Sequence, residues 1–329
     1  MIITRTPLRI SFLGGGTDYP EYYHRHGGET LATSINHYTM VTVNKLTRFV
    51  DYRIRVHYST VESVNCLDEI KHPSARECLR FMGIDEGIEI HYINDLPART
   101  GLGSSSSATV SLLHALHAYK GEMASREQLA EEAVYVEQQC IKERVGSQDQ
   151  WICAQGGLRH MTFNSNGSVR TDPVVLSPDR QLAFQERLLL LYTGIQRNAH
   201  DILDEQMQRT ETGVNSENLA QLKVLTSEAA KLLASSCDLG QFGTLLHQSW
   251  LLKRKLSSKV SSNYIDDIYD RALHAGAVGG KLLGAGGGGF FLFYVEAQNR
   301  DNVVRALPEL RETPFAFDEL GTQVIVYRP

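Results

Sequence analysis

The sequence predicts an α+β protein made of two domains. Short strand patterns dominate the first third of the chain, and longer helical patterns dominate the second half. Strands recur between the helices without the regular strand–helix alternation of a parallel α/β sheet. At 329 residues the chain has the length of about two domains. The turn at Ser177-Pro178-Asp179 favours a boundary near residue 180, which gives domains over residues 1–180 and 181–329.

Composition and charge narrow the class of protein. The formal net charge is -5, so the chain has no overall positive field to hold a nucleic-acid backbone. Its five cysteines lack Cys-x-x-Cys spacing, which favours reduced thiols in the cytoplasm over disulfides or a zinc site. No apolar run approaches the ~20 residues of a membrane span, and the first residues lack a signal-peptide pattern. We therefore expect a cytoplasmic protein that binds neither nucleic acid nor a membrane.

The elements of the first domain follow from apolar periodicity and turn residues. Leu8, Ile10 and Phe12 alternate with polar residues, which predicts a first strand that ends at a run of three glycines. Further strands are predicted over residues 38–43, 53–57 and 88–93. Helices are predicted over residues 108–119 and 126–142.

The second domain is predicted to begin with a wholly apolar strand over residues 188–192. Helical patterns follow over residues 199–211, 217–235, 240–256 and 263–275. A glycine loop over residues 281–289 is expected between the last of these helices and an apolar strand over residues 290–295. A dinucleotide fingerprint needs the order strand, loop, helix, so this loop argues against a Rossmann domain. A final strand is predicted over residues 323–327.

A segment rich in glycine and serine, residues 101–107, precedes the first long helix. Its glycines allow backbone N–H groups to point at one centre, and the helix adds its free N–H groups and the positive end of its dipole. Such groups bind phosphate, and a serine here could also bind Mg²⁺. The segment lacks Gly-Lys-Ser/Thr, so it is not a Walker loop. Taken alone, it is equally compatible with a flexible turn that has a serine cap.

Two carboxylates in the first domain are candidates for catalysis or metal binding. Glu137 falls on an otherwise apolar helical stripe, where a carboxylate needs a cation or hydrogen bonds unless it reaches solvent. Asp149 follows a glycine turn and has amides and an indole beside it. Those neighbours could fix its orientation for accepting a hydroxyl proton in phosphoryl transfer, although an aspartate in a polar turn is often only a turn former.

The glycine run after the first strand leads into a second candidate group. Asp18 could accept two hydrogen bonds from vicinal sugar hydroxyls, and Tyr19 could offer a ring face or a hydroxyl. Arg9, on the strand before the run, could supply a fixed positive charge. The alternative is a glycine-rich turn with a surface aspartate.

Three segments, residues 7–18, 96–107 and 281–289, stand in an order that resembles the GHMP kinase superfamily, which includes galactokinase, homoserine kinase and mevalonate kinase. The Gly-Gly-Gly-Thr-Asp and Lys-Leu-Leu-Gly-Ala-Gly-Gly-Gly-Gly forms resemble the D-glycero-D-manno-heptose 7-phosphate kinases, with sugar 1-kinases such as fucokinase as near relatives. The resemblance implies an N-terminal domain like ribosomal protein S5 domain 2 and a ferredoxin-like C-terminal domain. ATP, Mg²⁺ and a sugar phosphate would meet in the cleft between them.

The resemblance also implies roles for individual residues. Asp149 and Arg9 would be catalytic, and Ser105 would bind Mg²⁺ together with Glu137. The ATP phosphates would be held by one loop, which consists of Gly101, Leu102, Gly103, Ser104, Ser105, Ser106 and Ser107. The substrate would be held by two glycine loops, through Gly15, Gly16, Thr17, Asp18, Tyr19, Gly286 and Gly287.

The implied reaction is phosphorylation of the anomeric hydroxyl of D-glycero-D-manno-heptose 7-phosphate, which would give the 1,7-bisphosphate for nucleotide-heptose synthesis. Galactokinases have Glu-His where this chain has Gly15-Gly16, so a larger or differently posed sugar fits better than galactose. The first candidate for reading a substrate phosphate is Arg197, and the second is the charge run at residues 253–255.

Three alternatives remain beside this reaction. They are a kinase for a free sugar such as fucose, a sugar- and ATP-binding regulator without chemistry, and a decarboxylase of the diphosphomevalonate kind. Asp18 and Tyr19 argue for a sugar and against the decarboxylase. The sequence leaves the oligomeric state open, with a homodimer among the alternatives.

Overall fold

A computed structural model describes residues 1–196 and 200–329 and contains the mixture of helix and strand that the sequence predicts. In chain order the strands are β1 (Ile2–Leu13), β2 (Gly28–Lys45), β3 (Ile54–His57), β4 (Val61–Val64), β5 (Ile88–Asn94), β6 (Leu158–Phe163), β7 (Val169–Pro173), β8 (Leu188–Tyr192), β9 (Ala277–Leu282), β10 (Phe290–Val295), β11 (Arg311–Glu312) and β12 (Gln323–Tyr327).

Some helices begin at a side-chain cap, as at Ser125 and Ser262, whose side chains accept backbone N–H groups of the first turn. In chain order the helices are α1 (Pro20–His26), α2 (Pro73–Phe81), α3 (Ser104–Lys120), α4 (Arg126–Tyr135), α5 (Gln148–Gln155), α6 (Pro178–Glu186), α7 (His200–Glu211), α8 (Ser216–Leu233), α9 (Gly240–Lys253), α10 (Asn263–His274) and α11 (Arg300–Ala306). In the described part of the chain, none of them is both long and apolar enough to cross a membrane.

The large sheet has the order β12-β1-β2-β5-β3-β4, and β2 also pairs with β6, which pairs with β7. Strand β1 lies between β2 and β12 and is antiparallel to both. Pairing of Ile2 with Tyr327 brings the last strand back to the first. One face of this sheet packs on α3, and the apolar residues between them form a core that includes Val41, Ile90 and Leu112.

The small sheet has the order β11-β8-β10-β9, in which the fourth, first, third and second of its strands lie side by side. Helices connect the first strand to the second and the third to the fourth. This is the ferredoxin-like arrangement that the family resemblance implies. The side chains of β10 are buried throughout its length, and three of the four leucines of β8 lie below 2% exposure, which accounts for the uninterrupted apolar sequences of both strands.

The loop at residues 281–289 differs from its sequence-based prediction. The sequence places this loop after a helix, but its first two residues belong to β9. The loop therefore connects two antiparallel strands, β9 and β10. The prediction was wrong because Gly279 and Gly280 conceal the strand pattern. A Cβ at Gly279 would lie 2.1 Å from the carbonyl oxygen of Gly243, so close packing of α9 on β9 requires glycine there. The exclusion of a Rossmann fingerprint is unaffected, since the loop does not lead from a strand into a helix.

A second core joins the two sheets. Phe12 of β1 contacts Phe184 of α6 and Phe242 of α9, with ring centroids 5.6 Å apart in both pairs. The same cluster contains Leu246 of α9 and Leu292 of β10. The domain boundary near residue 180 stays a prediction, and the sheet of β1 also includes the last strand of the chain.

Candidate active site

Arg9 and Asp149 form a buried ion pair between β1 and the first turn of α5. The Arg9 guanidinium donates from Nε to Oδ1 of Asp149 at 2.8 Å and from Nη2 to Oδ2 at 2.6 Å. Its third nitrogen, Nη1, donates to the carbonyl oxygen of Gly101 at 2.6 Å. Burial alone would lower the pKa of Arg9, but the charge and hydrogen bonds of Asp149 outweigh it and raise that pKa. The fork fixes the Asp149 carboxylate, whose side chain keeps 23% of its surface exposed.

The glycine–serine loop lies directly against this pair. Leu102 is buried in the core between the sheets, and its carbonyl oxygen accepts the backbone N–H of Arg9 at 3.0 Å. Gly103 precedes α3 in the left-handed conformation, with φ of 73°, so that α3 begins at Ser104. A Cβ at Gly103 would lie 2.9 Å from Cγ of Arg9 and 3.4 Å from Oδ2 of Asp149. Glycine is therefore required both by the backbone conformation and by the closeness of Arg9 and Asp149.

The serines of α3 point in different directions. Ser105 is exposed and Ser104 is half-buried, whereas Ser106 and Ser107 are buried. Ser107 donates to the carbonyl oxygen of Thr6 at 3.0 Å and ties the helix to β1. Ser106 donates to Oε2 of Glu137 at 2.9 Å. The structure thus brings Ser106, and not Ser105, to the carboxylate that the sequence pairs with Ser105.

Glu137 is buried in a π-helical segment, Val136–Cys140, that continues α4. The single helix predicted over residues 126–142 therefore changes its winding at this point. Besides Ser106, Gln150 donates to Oε2 of Glu137 at 2.6 Å, while Oε1 has no hydrogen-bond partner. Burial raises the pKa of Glu137 to about 7, and hydrogen bonds offset only part of that effect. A buried carboxylate oxygen without a partner is the kind of atom that a cation can bind.

Asp18 lies at the end of the glycine run and is buried. Its Oδ1 accepts the backbone N–H of Gly16 at 2.9 Å, and its Oδ2 accepts that of Gln148 at 3.3 Å. Burial raises the pKa of Asp18 to about 6, and the negative charge of Asp149 adds to the effect. A Cβ at Gly146 would lie 1.9 Å from Oδ2 of Asp18, so the chain before α5 passes directly over this carboxylate. The segment that carries Asp149 therefore also holds Asp18.

The other residues predicted around Asp18 have different surroundings. A Cβ at Gly15 would lie 3.4 Å from the side chain of Gln148, and one at Gly16 would lie 3.0 Å from Leu219. The Thr17 hydroxyl is enclosed and lies 2.8 Å from the carbonyl oxygens of Gly14 and Glu29, so it holds the loop in shape. Tyr19 is half-buried just before α1, and burial raises its pKa well above the usual value.

The loop between β9 and β10 packs on the glycine–serine loop that precedes α3. A Cβ at Gly101 would lie 2.6 Å from the carbonyl oxygen of Leu283, and the backbone N–H of Phe290 donates to Thr100 at 3.2 Å. Gly286 and Gly287 lie against Val260, whose carbonyl oxygen accepts the N–H of Gly287 at 2.9 Å. The two glycine loops are thus in backbone contact.

Two buried lysines interact electrostatically with Arg9; Lys281 was not predicted as a site residue, and Lys253 was predicted only within the charge run at residues 253–255. Lys253 donates from Nζ to the carbonyl oxygens of Leu282 at 3.0 Å and Gly284 at 2.5 Å. Lys281 donates to the carbonyl oxygen of Phe12 at 2.9 Å. Burial, strengthened by repulsion from Arg9, lowers the pKa of Lys253 to about 7. Burial followed by repulsion from Lys253 and Arg9 lowers the pKa of Lys281 well below its usual value.

Comparison with known proteins identifies the family. Residues 69–157 match the description "GHMP kinases N terminal domain", and residues 229–312 match "GHMP kinases C terminal", together more than half of the chain. The chain belongs to the GHMP kinases. It is accordingly an ATP-dependent kinase with the two-domain fold of that family.

Individual relatives of this GHMP kinase match almost its whole length. The chain is 28% identical to the D-glycero-alpha-D-manno-heptose 7-phosphate kinase of Campylobacter jejuni over 93% of both chains. It is 24% identical to the bifunctional fucokinase/GDP-fucose pyrophosphorylase of Arabidopsis thaliana, covering 91% of this chain but 30% of that protein. A crystal structure titled as a D-glycero-D-manno-heptose 1-phosphate kinase from Bacteroides thetaiotaomicron superimposes with a TM-score of 0.81 at 24% identity, covering 100% of both chains.

The donor set of this GHMP kinase fits Mg²⁺. Mg²⁺ prefers oxygen ligands and usually binds one or two carboxylates together with substrate phosphates. The Oε1 atom of Glu137 is buried without a partner, and the Ser106 hydroxyl lies against the same carboxylate at the start of α3. These two residues would hold the ion next to the phosphate loop.

Arg197, the first candidate for a substrate phosphate, lies outside the described residues of the kinase. For the second candidate, the structure gives a different role. Lys253 is buried and donates to the carbonyl oxygens of Leu282 and Gly284 at the start of the last glycine loop, whereas Lys255 is exposed. A sequence signal for this existed, because Lys253 continues the buried stripe of Phe242, Leu246 and Trp250 on α9.

Proposed function

We propose that this GHMP kinase transfers the γ-phosphate of ATP to the anomeric hydroxyl of D-glycero-D-manno-heptose 7-phosphate. Relatives of matching length support a kinase that acts on a sugar phosphate. The heptose and the position of transfer are the finer part of the proposal. The observation that carries it is the Arg9–Asp149 pair. On one side Arg9 binds the carbonyl oxygen of Gly101 in the glycine–serine loop, and on the other Gln148, next to Asp149, donates its backbone N–H to Asp18.

In the proposed step the anomeric oxygen attacks the γ-phosphorus, and the bond from that phosphorus to the bridging oxygen of ADP breaks. Asp149 accepts the proton of the attacking hydroxyl and passes it to solvent. Arg9 holds the carboxylate in place by two hydrogen bonds and adds positive charge next to the transferring group. The products are ADP and the 1,7-bisphosphate, which would feed nucleotide-heptose synthesis.

The remaining residues bind and orient the two substrates. The loop from Gly101 to Ser107 and the start of α3 would hold the ATP phosphates through backbone N–H groups. Mg²⁺ held by Glu137 and Ser106 would offset charge on the β- and γ-phosphates. Each oxygen of Asp18 has one backbone N–H partner, which leaves lone pairs for sugar hydroxyls.

Recognition of the 7-phosphate is proposed for Arg197, on the basis of the sequence. We expect Arg197→Ala to raise KM for the sugar phosphate while leaving KM for ATP close to that of the parent. An unchanged KM for the sugar phosphate would remove Arg197 from this role.

The first test is ADP release with Mg·ATP on a set of acceptors. D-glycero-D-manno-heptose 7-phosphate is compared with heptose 1-phosphate, fucose, galactose and mannose. Both heptose monophosphates would give the same 1,7-bisphosphate, so the substrate that is consumed, and not the product, identifies the position of transfer. Saturable turnover on the 7-phosphate alone is the expected result, and turnover confined to another acceptor would contradict the proposal.

A pair of variants tests whether the reaction uses the proposed site. Asp149→Asn keeps the volume of the side chain but removes the proton acceptor, so kcat should fall by about 100-fold or more. Asp172→Asn, in an exposed ion pair on β7, is the matched control and should keep parental kcat. ATP and sugar binding without ADP release by the parent chain would support a regulator instead of an enzyme.

A free-sugar 1-kinase is the second candidate. The fucokinase relative, which covers 91% of this chain, favours it. In the same assay, turnover on fucose that does not require a phosphate would support this candidate while keeping the same catalytic pair.

A further inference from the structure

Two histidines and a glutamate meet on the outer face of the large sheet, away from the catalytic pair. Strands β3 and β5 are parallel neighbours, and their register pairs Arg55 with Glu89 and His57 with His91. Side chains alternate between the two faces of a strand, so these four share one face. The intervening residues, among them Val56 and Ile90, point to the opposite face and are buried in the core.

The ligand atoms of the three residues converge. Nε2 of His57 lies 3.2 Å from Oε1 of Glu89, and Nε2 of His91 lies 3.4 Å from the same oxygen. The imidazole rings are stacked, with centroids 4.0 Å apart and an interplanar angle of 13°. Among the side chains of residues 1–196 and 202–329, this is the one group of three His, Cys, Asp or Glu residues whose ligand atoms all lie within 4.8 Å of one another.

These separations match the edges of a tetrahedral coordination shell. Zinc binds imidazole nitrogen and carboxylate oxygen at about 2.0–2.2 Å, so two ligand atoms of one tetrahedral ion lie about 3.3–3.5 Å apart. Both nitrogen–oxygen separations in the group are close to that distance. We propose that His57, Glu89 and His91 form a binding site for a divalent transition-metal ion of the zinc class.

The donor types select the ion. Two imidazoles and one carboxylate suit Zn²⁺, Cu²⁺ or Ni²⁺, whereas Mg²⁺ prefers oxygen ligands. Imidazole binds a metal ion in its neutral form. The nearly parallel rings must splay for both to point at one ion. The His57 and His91 side chains are 22% and 34% exposed, which leaves room for that rotation.

One neighbour opposes metal binding. Nη1 of Arg55 lies 3.6 Å from Oε1 of Glu89, so its guanidinium competes with a cation for the carboxylate. Removing that charge should strengthen the site, while removing a histidine should weaken it. This opposite pair of effects distinguishes a metal site from a stacked His–Glu cluster that only shapes the sheet surface.

The test is calorimetric titration of Zn²⁺ into the full, untagged chain at pH 7.5 with excess Mg²⁺. Cys66 and Cys237 are exposed thiols that also bind zinc, so the parent for the titration carries Cys66→Ser and Cys237→Ser. We expect the parent to bind one zinc ion per chain. The zinc affinity should be lower by about 10-fold or more in His57→Asn and in His91→Asn, and higher in Arg55→Ala. Circular dichroism establishes that each variant is folded.

A matched control uses the other His–Glu pair of the large sheet. His160 lies 2.9 Å from Glu29 without a second histidine, so His160→Asn should bind zinc like the parent. Zinc at a concentration that saturates the parent should also raise the Tm of the parent by roughly 5 °C and that of His91→Asn by less. Absence of zinc binding by the parent, or parental affinity in both histidine variants, would overturn the proposal.

Discussion

Arg9 uses its guanidinium to connect two parts of the active site. Two of its nitrogens bind Asp149 and the third binds the phosphate loop at Gly101. A lysine could supply the charge, but its single ammonium could not reproduce this planar fork. The position of the Asp149 carboxylate relative to the glycine–serine loop therefore depends on the shape of one side chain as well as on its charge.

We expect Glu137 to couple stability to pH and, through the proposed metal site, to Mg²⁺. Its pKa of about 7 lies above the usual 4.5, so the folded chain keeps this proton at a pH where the unfolded chain has lost it. Stability is then fully retained below about pH 4.5 and falls as pH rises towards 7, by up to about 3 kcal/mol. A cation at the unpartnered Oε1 would recover this loss.

We expect Glu137→Gln to be more stable than the parent at pH 8 without Mg²⁺, and the difference to shrink towards pH 5. Mg²⁺ should stabilise the parent and not the variant, because the amide carries no charge. Urea unfolding between pH 5 and pH 8, with EDTA and with Mg²⁺, measures both effects. Glu131→Gln, on the exposed face of α4, is the control. Parallel curves for parent and Glu137→Gln would contradict this coupling.

The candidate site could be predicted from the sequence as a set of segments, but not atom by atom. Arg9 and Asp149 do form an ion pair. Both could be named beforehand because the family resemblance gives each of them a role. The choice between Ser105 and Ser106 depends on the rotation of α3 about its axis and on the π-helical segment around Glu137, and neither leaves a clear periodic signal. Lys253 lies within a charge run that is typical of a solvated face, although its own position on α9 is buried.

At the scale of elements, α9 and β9 together set the position of the last glycine loop. The helix approaches the strand so closely that Gly279 leaves no space for a side chain. At the C-terminal end of α9, Lys253 donates to the carbonyl oxygens of Leu282 and Gly284, at the start of the loop. The strand was missed by sequence reasoning because the glycines that permit this packing are also residues with low strand propensity.

Lys253→Met should detach α9 from the glycine loop. Two buried carbonyl oxygens would lose their donor, so the free energy of unfolding should fall by about 1–3 kcal/mol. KM for ATP should rise, because the loop packs on the phosphate loop. Lys255→Met, in the same charge run but exposed, should change neither quantity. Unfolding curves and steady-state kinetics of both variants measure this, and equal behaviour of the two would contradict the assigned role of Lys253.

At the scale of the whole molecule, the core around Phe12 links the two sheets. Its members include residues of β1, β2, β8, β10, α6, α8 and α9, so neither sheet can lose its partner without exposing apolar surface. Lys281 adds a hydrogen bond from β9 to the carbonyl oxygen of Phe12. A single unfolding transition is therefore expected although the chain forms two sheets.

The two tryptophans allow this to be measured. Trp151 lies in the core of the large sheet and Trp250 in the core of the small sheet. In each single-tryptophan variant, Trp151→Phe and Trp250→Phe, the fluorescence transition in guanidinium chloride should coincide with the circular-dichroism transition. Phe12→Ala should lower the free energy of unfolding by about 3–5 kcal/mol in both, and exposed Phe49→Ala should not. Separate transitions for the two tryptophans would show that the sheets unfold independently.

The pairing of β1 with β12 has a consequence for synthesis on the ribosome. Ile2 emerges well before its partner Tyr327, so one edge of β1 stays unpaired while the chain between them is made. An open strand edge is a site of aggregation, and contacts so distant in sequence form slowly. The strands of the small sheet lie between these two and can pair before translation reaches β12. The nascent chain is thus most vulnerable at the strand that carries Arg9, and it depends most on chaperones in the interval before β12 arrives.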